Sequence, residues 1–142
     1  LNIRTALPAY SSPPPANAPA PTVWKSLQKK EERELANKVF GQLSQEPADA
    51  FGAESAFILI VDAYDSGNFT QVEELTFKLS DSATPQTYWL AKSFIVLGDS
   101  YAERDEFEQA KATFESIKEN YTPQGADDDV IAQVEKRLNK LK

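Results

Sequence analysis

The sequence predicts an all-α domain of stacked helix-turn-helix units. Three observations lead there. Apolar residues recur at helical spacing through most of the chain after residue 22, Pro, Gly and Asn break those runs at hairpin intervals, and two segments match each other at a fixed offset of 38 residues. Such a pattern predicts a right-handed solenoid of roughly two and a half repeats closed by a C-terminal capping helix.

Residues 1–21 precede the helical pattern. Six of the nine prolines (Pro8, Pro13, Pro14, Pro15, Pro19, Pro21) fall there among Ala, Ser and Asn, removing backbone donors and biasing their neighbours away from the helical region. The segment reads as an extended proline-rich arm or linker, or as a segment that docks on an aromatic groove. Residues 22–142 form the helical repeat domain.

From Val23 the period changes. Val23, Trp24, Leu27, Leu35, Val39, Phe40 and Leu43 fall mostly on one face of a long helix, with the charges from Lys29 to Glu34 between them. Pro47 ends it or begins the next, which runs to about Ser66 with Ala53, Ala56, Phe57, Ile60 and Tyr64 as its stripe. Gly67-Asn68 breaks that pattern as a left-handed-tolerant pair should. A helix from Phe69 to about Leu79 carries Val72, Leu75, Thr76 and Leu79, and a polar loop follows before Pro85. From about Gln86 to Arg104, Trp89, Leu90, Phe94, Leu97, Gly98 and Tyr101 face inward. Phe107 to about Asn120 buries Ala110, Phe114 and Ile117. Asp127 to Asp129 cap a last helix with the stripe Val130, Ile131, Val134, Leu138 and Leu141 and with Lys140 and Lys142 at its C-terminal end.

Composition bounds the chemistry. With 142 residues the chain is close to the ~150 of one domain, and no apolar run approaches the ~18 residues of a membrane span, so no direct membrane insertion is expected. A net charge of -7 argues against nucleic acid, whose backbone is bound by a basic face. His and Cys are both absent, which removes the commonest acid-base group, the usual transition-metal ligands and the strongest nucleophile; carboxylate pairs, as in a hydrolase, are the chemistry left open, and no enzyme activity and no cofactor are expected. The chain starts at Leu1 and lacks Met, a basic n-region and an apolar h-region, and so reads as a processed or truncated piece.

The internal repeat narrows the fold further. Phe69 pairs with Phe107, Val72 with Ala110, Thr76 with Phe114, Pro85 with Pro123, Ala56 with Phe94 and Leu59 with Leu97, all at the same offset. The stretch "FIVLGDSYAERDEFEQAKATFESI" resembles the tetratricopeptide repeat. Phe94, Leu97, Gly98 and Tyr101 match the first-helix positions of that family, and Phe107, Ala110, Phe114 and Ile117 those of the second. The earlier copy, "AFILIVDAYDSGNFTQVEELTFKL", matches less well, with Ile60 at the glycine position and Val72 at the alanine position. Ala36, Phe40 and Leu43 form a half-copy before it. The "TPQTYWLAKSFIVLGDSYAE" run and the terminal "VEKRLNKL" look like the end of long repeat proteins of Bacteroidetes bacteria. That resemblance implies a cell-envelope location and a scaffold that binds protein segments.

Other motifs read as local structure. Asp127-Asp128-Asp129 lacks the alternate spacing and distal Glu of a calcium loop, and the adjacent pairs Glu31-Glu32 and Glu73-Glu74 splay across a helix surface. Asn68-Phe69-Thr70 and Asn120-Tyr121-Thr122 match the glycosylation acceptor but sit at helix ends, where Asn serves a turn.

The resemblance implies that the first helix of each repeat lines a concave face. Its positions outside the core are Glu54, Phe57, Val61, Tyr64 and Asp65 on one helix and Lys92, Ile95, Asp99, Ala102 and Glu103 on the next. An apolar centre ringed by acids fits a protein or peptide with an apolar anchor flanked by Lys or Arg. The alternative is a C-terminal cap of a longer repeat array, with a structural or oligomerising role through the N-terminal edge at Val23, Trp24, Leu27 and Leu35 or through the proline arm.

Overall fold

The computed structural model describes residues 30–141, with side chains from Glu34 onward apart from residues 35 and 36. The proline arm and Val23, Trp24 and Leu27 of the proposed edge lie outside these described residues, and Leu35 is described by its backbone alone. Among the described residues six helices run in order: α1 Lys30–Leu43, α2 Ala50–Asp65, α3 Phe69–Asp81, α4 Thr87–Glu103, α5 Phe107–Asn120 and α6 Val130–Lys140. The chain is all-helical among these residues, with no strand, and no described helix is long and apolar enough to cross a membrane.

Each helix packs against the next, and in addition α2 packs against α4 and α4 against α6. The sequence offset therefore has a spatial counterpart: α3 and α5 start at Phe69 and Phe107, and Pro47, Pro85 and Pro123 precede α2, α4 and α6. Loops one offset apart are joined directly. Thr84 Oγ1 donates to the Pro47 carbonyl, Gln86 Nε2 to the Ala48 carbonyl at 3.1 Å, and Gln124 Nε2 to Thr87 Oγ1 at 3.2 Å.

Local signals set the helix ends. Gly67 has φ +77; its N–H reaches the Tyr64 carbonyl while that of Asn68 reaches Ala63, which closes α2 with a Schellman turn. Asn68 is not the left-handed residue of the pair: at φ -89 it caps α3, its side chain accepting from Gln71 N–H. At the equivalent turn after α4, Asp105 takes the left-handed place at φ 59, and Glu106 N–H bonds to the Tyr101 carbonyl. Of the three acids before α6, Asp128 is the one whose carboxylate accepts from the Val130 N–H, at 3.0 Å.

One contiguous core holds Phe40, Phe57, Ile60, Val72, Trp89, Leu97, Phe114, Val130 and Val134. At its centre Gly98 admits the Phe114 ring; a Cβ there would lie 2.5 Å from Phe114 Cε1. Val39 and Leu43, assigned by periodicity to the buried stripe of α1, are instead 42% and 41% exposed.

Candidate functional site

An open groove of about 400 Å³ lies where α3, α4 and α5 meet. Phe77 of α3 stands on one wall, 44% exposed. Its ring meets Phe94 of α4 edge-on, with centroids 6.4 Å apart and planes at 71°, a favoured aromatic geometry. Leu90 and Leu97 continue the α4 surface, and Thr113, Ser116 and Asn120 line the α5 side. No lining residue carries a charge.

Two tyrosines fix the ends of the groove. Tyr101 Oη donates to Glu73 Oε2 at 2.6 Å, and its pKa is pushed up to about 12, first by burial and then by the bond and charge of Glu73. Tyr121 Oη donates to the Asp128 carboxylate; burial, then that bond, raises its pKa as well. Both phenols therefore stay neutral.

A second groove of about 380 Å³ is lined by Ala56, Leu59, Leu75, Lys78 and Leu79 among others. Ala56 and Leu59 are the 38-residue counterparts of Phe94 and Leu97, and Lys78 is that of Ser116. The second groove is charged and lacks an aromatic wall. No family model, curated protein or solved structure matches the chain.

The residues expected on a concave binding face are placed differently. Phe57, Val61 and Ile95 belong to the hydrophobic core, with the Phe57 ring 5.5 Å from that of Trp89. Glu54 and Lys92 are 3% and 1% exposed. This corrects the assignment of these five residues to an open groove. The cause is the apolar character of both helices around most of their circumference, which buries positions that a one-sided stripe would leave to solvent. In keeping with this, α2 packs against α1, α3 and α4, and α4 against α2, α3, α5 and α6.

The remaining five lie towards the edge. Tyr64, Asp65 and Asp99 are half-buried and Glu103 is exposed. Tyr64 Oη donates to Glu103 Oε1 at 3.3 Å. Arg137 Nε donates to both Asp99 oxygens, at 2.9 and 3.1 Å, so Asp99 ties α6 to α4. Ala102 is partly buried against the core.

Glu54 and Lys92 lie one 38-residue offset apart. Among the described residues neither Glu54 Oε2 nor Lys92 Nζ has a hydrogen-bond partner. Burial raises the Glu54 pKa to about 7. Burial likewise lowers Lys92 to about 8, against the pull of Asp129 and Asp128 and aided by Arg137. The Lys92 ammonium lies 5.8 Å from the centre of the Tyr88 ring, which supplies some of the stabilisation that a carboxylate would otherwise give. Among the described residues no three His, Cys, Asp or Glu side chains are grouped as metal ligands.

The sequence reading missed Phe77 and turned Leu90 and Phe94 inward; Phe94 does pack against the core, and both residues also line the groove. Phe77 lies off the Val72, Thr76, Leu79 stripe and beside Lys78, and that isolation on a polar face is the signal that marks it.

Proposed function

We propose that the chain is a non-enzymatic helical-repeat module of the tetratricopeptide type that holds a protein segment in the groove between α3, α4 and α5. The observation that carries this is an uncharged, apolar, open groove with a half-exposed aromatic wall at Phe77, since buried apolar anchors in such clefts supply most binding energy. The tetratricopeptide reading is supported by the fit of Phe114 against Gly98, two positions of the resemblance, and by the contacts of α4 with both α2 and α6. The expected ligand changes accordingly. An uncharged apolar segment fits this groove better than one flanked by Lys or Arg.

Selection of displayed peptides against the full chain, followed by amide shift mapping, tests the proposal. Selected peptides should perturb α3, α4 and α5 around the groove and lose affinity on the order of tenfold against Phe77→Lys. Peptides that map elsewhere, or that bind Phe77→Lys unchanged, rule the groove out.

One observation favours the second reading, a cap with a structural role. The outer face of α6 exposes Glu135, Lys136, Asn139 and Lys140, the polar surface that terminal repeats need. Failure to select any peptide from a diverse library would favour that reading.

A further inference from the structure

The proline-rich segment ahead of α1 matches the chemistry of the groove. Thr5 to Thr22 contain no charged residue, and neither does the groove lining, in a chain of which 26% is charged. Proline-rich sequence favours polyproline II, which leaves its carbonyls unpaired and offers flat rings to aromatic walls. Phe77 and Phe94 supply the aromatic walls, and Thr113, Ser116 and Asn120 supply polar groups beside them.

The lengths agree. From Thr87 to Tyr101 the α4 side of the groove extends about 21 Å at the helical rise, which is about seven residues of polyproline II. Pro13 to Pro19 is a run of that length. Residues 20–29 join that run to α1: residues 20–22 extend about 10 Å, and residues 23–29, for which the periodicity from Val23 predicts helix, add about 10 Å. With α1 packed on α2 and α2 on α3, α3 stands two helix packings from α1, about 20 Å.

We propose that residues 13–19 dock in the α3–α4–α5 groove of their own chain, so that the module carries a built-in competitor for its partner. This rests on the groove being the binding site. The chain has no cysteine, so Glu119→Cys, exposed on α5 next to Asn120 of the groove but outside its lining, gives a unique nitroxide attachment point in the full-length protein. Amide signals of Ala16 and Ala18 should lose most of their intensity, independently of dilution, and should recover with Phe77→Lys. The same peptide selected above should bind more tightly to a full-length variant carrying Pro13→Ser, Pro14→Ser and Pro15→Ser.

Three results would overturn the proposal: no intensity loss, loss seen only when labelled and unlabelled chains are mixed, or loss from a label at Glu103→Cys instead. The second would make the occupant another copy. The third would place the arm on the other side of α4, since Glu103 lies about 200° around the helix from Tyr101. An arm that fails these tests while peptide binding still depends on Phe77 leaves the groove standing. Peptide binding that ignores Phe77→Lys removes both.

Discussion

Glu54 and Gly98 show how much a single side chain decides in this domain. The carboxyl of Glu54 is nearly fully buried, its Oε2 has no partner among the described residues, and its pKa is raised from 4.5 to about 7. A raised acid pKa means that the folded state holds the proton more tightly, so this residue's contribution is fully present below about pH 4.5 and is lost as pH rises through about 7. Denaturant titrations across that window should give a shallower fall in stability for Glu54→Gln than for the parent, with the variant the more stable at pH 8. Equal slopes would show that Glu54 ionises freely. At Gly98 two effects oppose each other. Alanine is the better helix former by about 1 kcal/mol, but its Cβ would sit 2.5 and 2.6 Å from the ring of Phe114, which is itself buried and cannot swing out. Overpacking wins, and Gly98→Ala should cost about 1 to 3 kcal/mol. Adding Phe114→Leu should restore part of that loss, a non-additivity that thermal melts of the two single variants and the double variant will reveal.

Among the helices and their connections, the turns after α2 and α4 form a natural pair. Both place one residue in the left-handed region, Gly67 at φ 77 and Asp105 at φ 59, one offset apart. Nothing crowds a Cβ built at Gly67, so backbone strain alone sets the cost of a side chain there. Gly67→Ala should therefore lower stability by about 1 kcal/mol, and Asp105→Gly should raise it by up to a similar amount. Matching signs in the two variants would mean that the turns are not equivalent. Helix existence and most boundaries were legible in the sequence because the apolar period and the breakers agree, as in α5, where Ala110, Phe114 and Ile117 are all buried as expected. The inner positions of α2 and α4 were not legible. Periodicity identifies one apolar face, and a helix packed from several sides has more than one; Phe57, Val61 and Ile95 were lost for that reason. Gly52 was missed on different grounds, since a Cβ there would lie 1.9 Å from the Glu46 carbonyl oxygen, a clash across a turn that no local pattern encodes.

For the molecule as a whole, charge and binding separate. The net charge is -7, yet the groove lining carries no charge. A ligand held by the acids of Tyr64 to Glu103 would weaken steeply with salt, whereas one held in the groove should not. Affinity for a groove-binding peptide is expected to hold nearly constant up to about 1 M salt, where screening acts within ~3 Å. A steep decline in calorimetric titrations would return attention to Asp65 and Glu103. Both outcomes concern the domain's surface, and neither alters the all-helical core.

The loop bonds between successive units all lie at one end of the helices. Thr84 reaches Pro47, Gln86 reaches Ala48 and Gln124 reaches Thr87, each at or before the start of α2 or α4. At the far end the bond from Tyr64 to Glu103 is long and exposed. The far end is nonetheless tied a second time, by the shorter and partly buried bond from Tyr101 of α4 to Glu73 of α3. Thr87 and Tyr101 line opposite ends of the groove, and each is held to a neighbouring element, Thr87 by Gln124 and Tyr101 by Glu73. A bulky segment therefore meets a cleft braced at both ends, whose width is set before anything enters it.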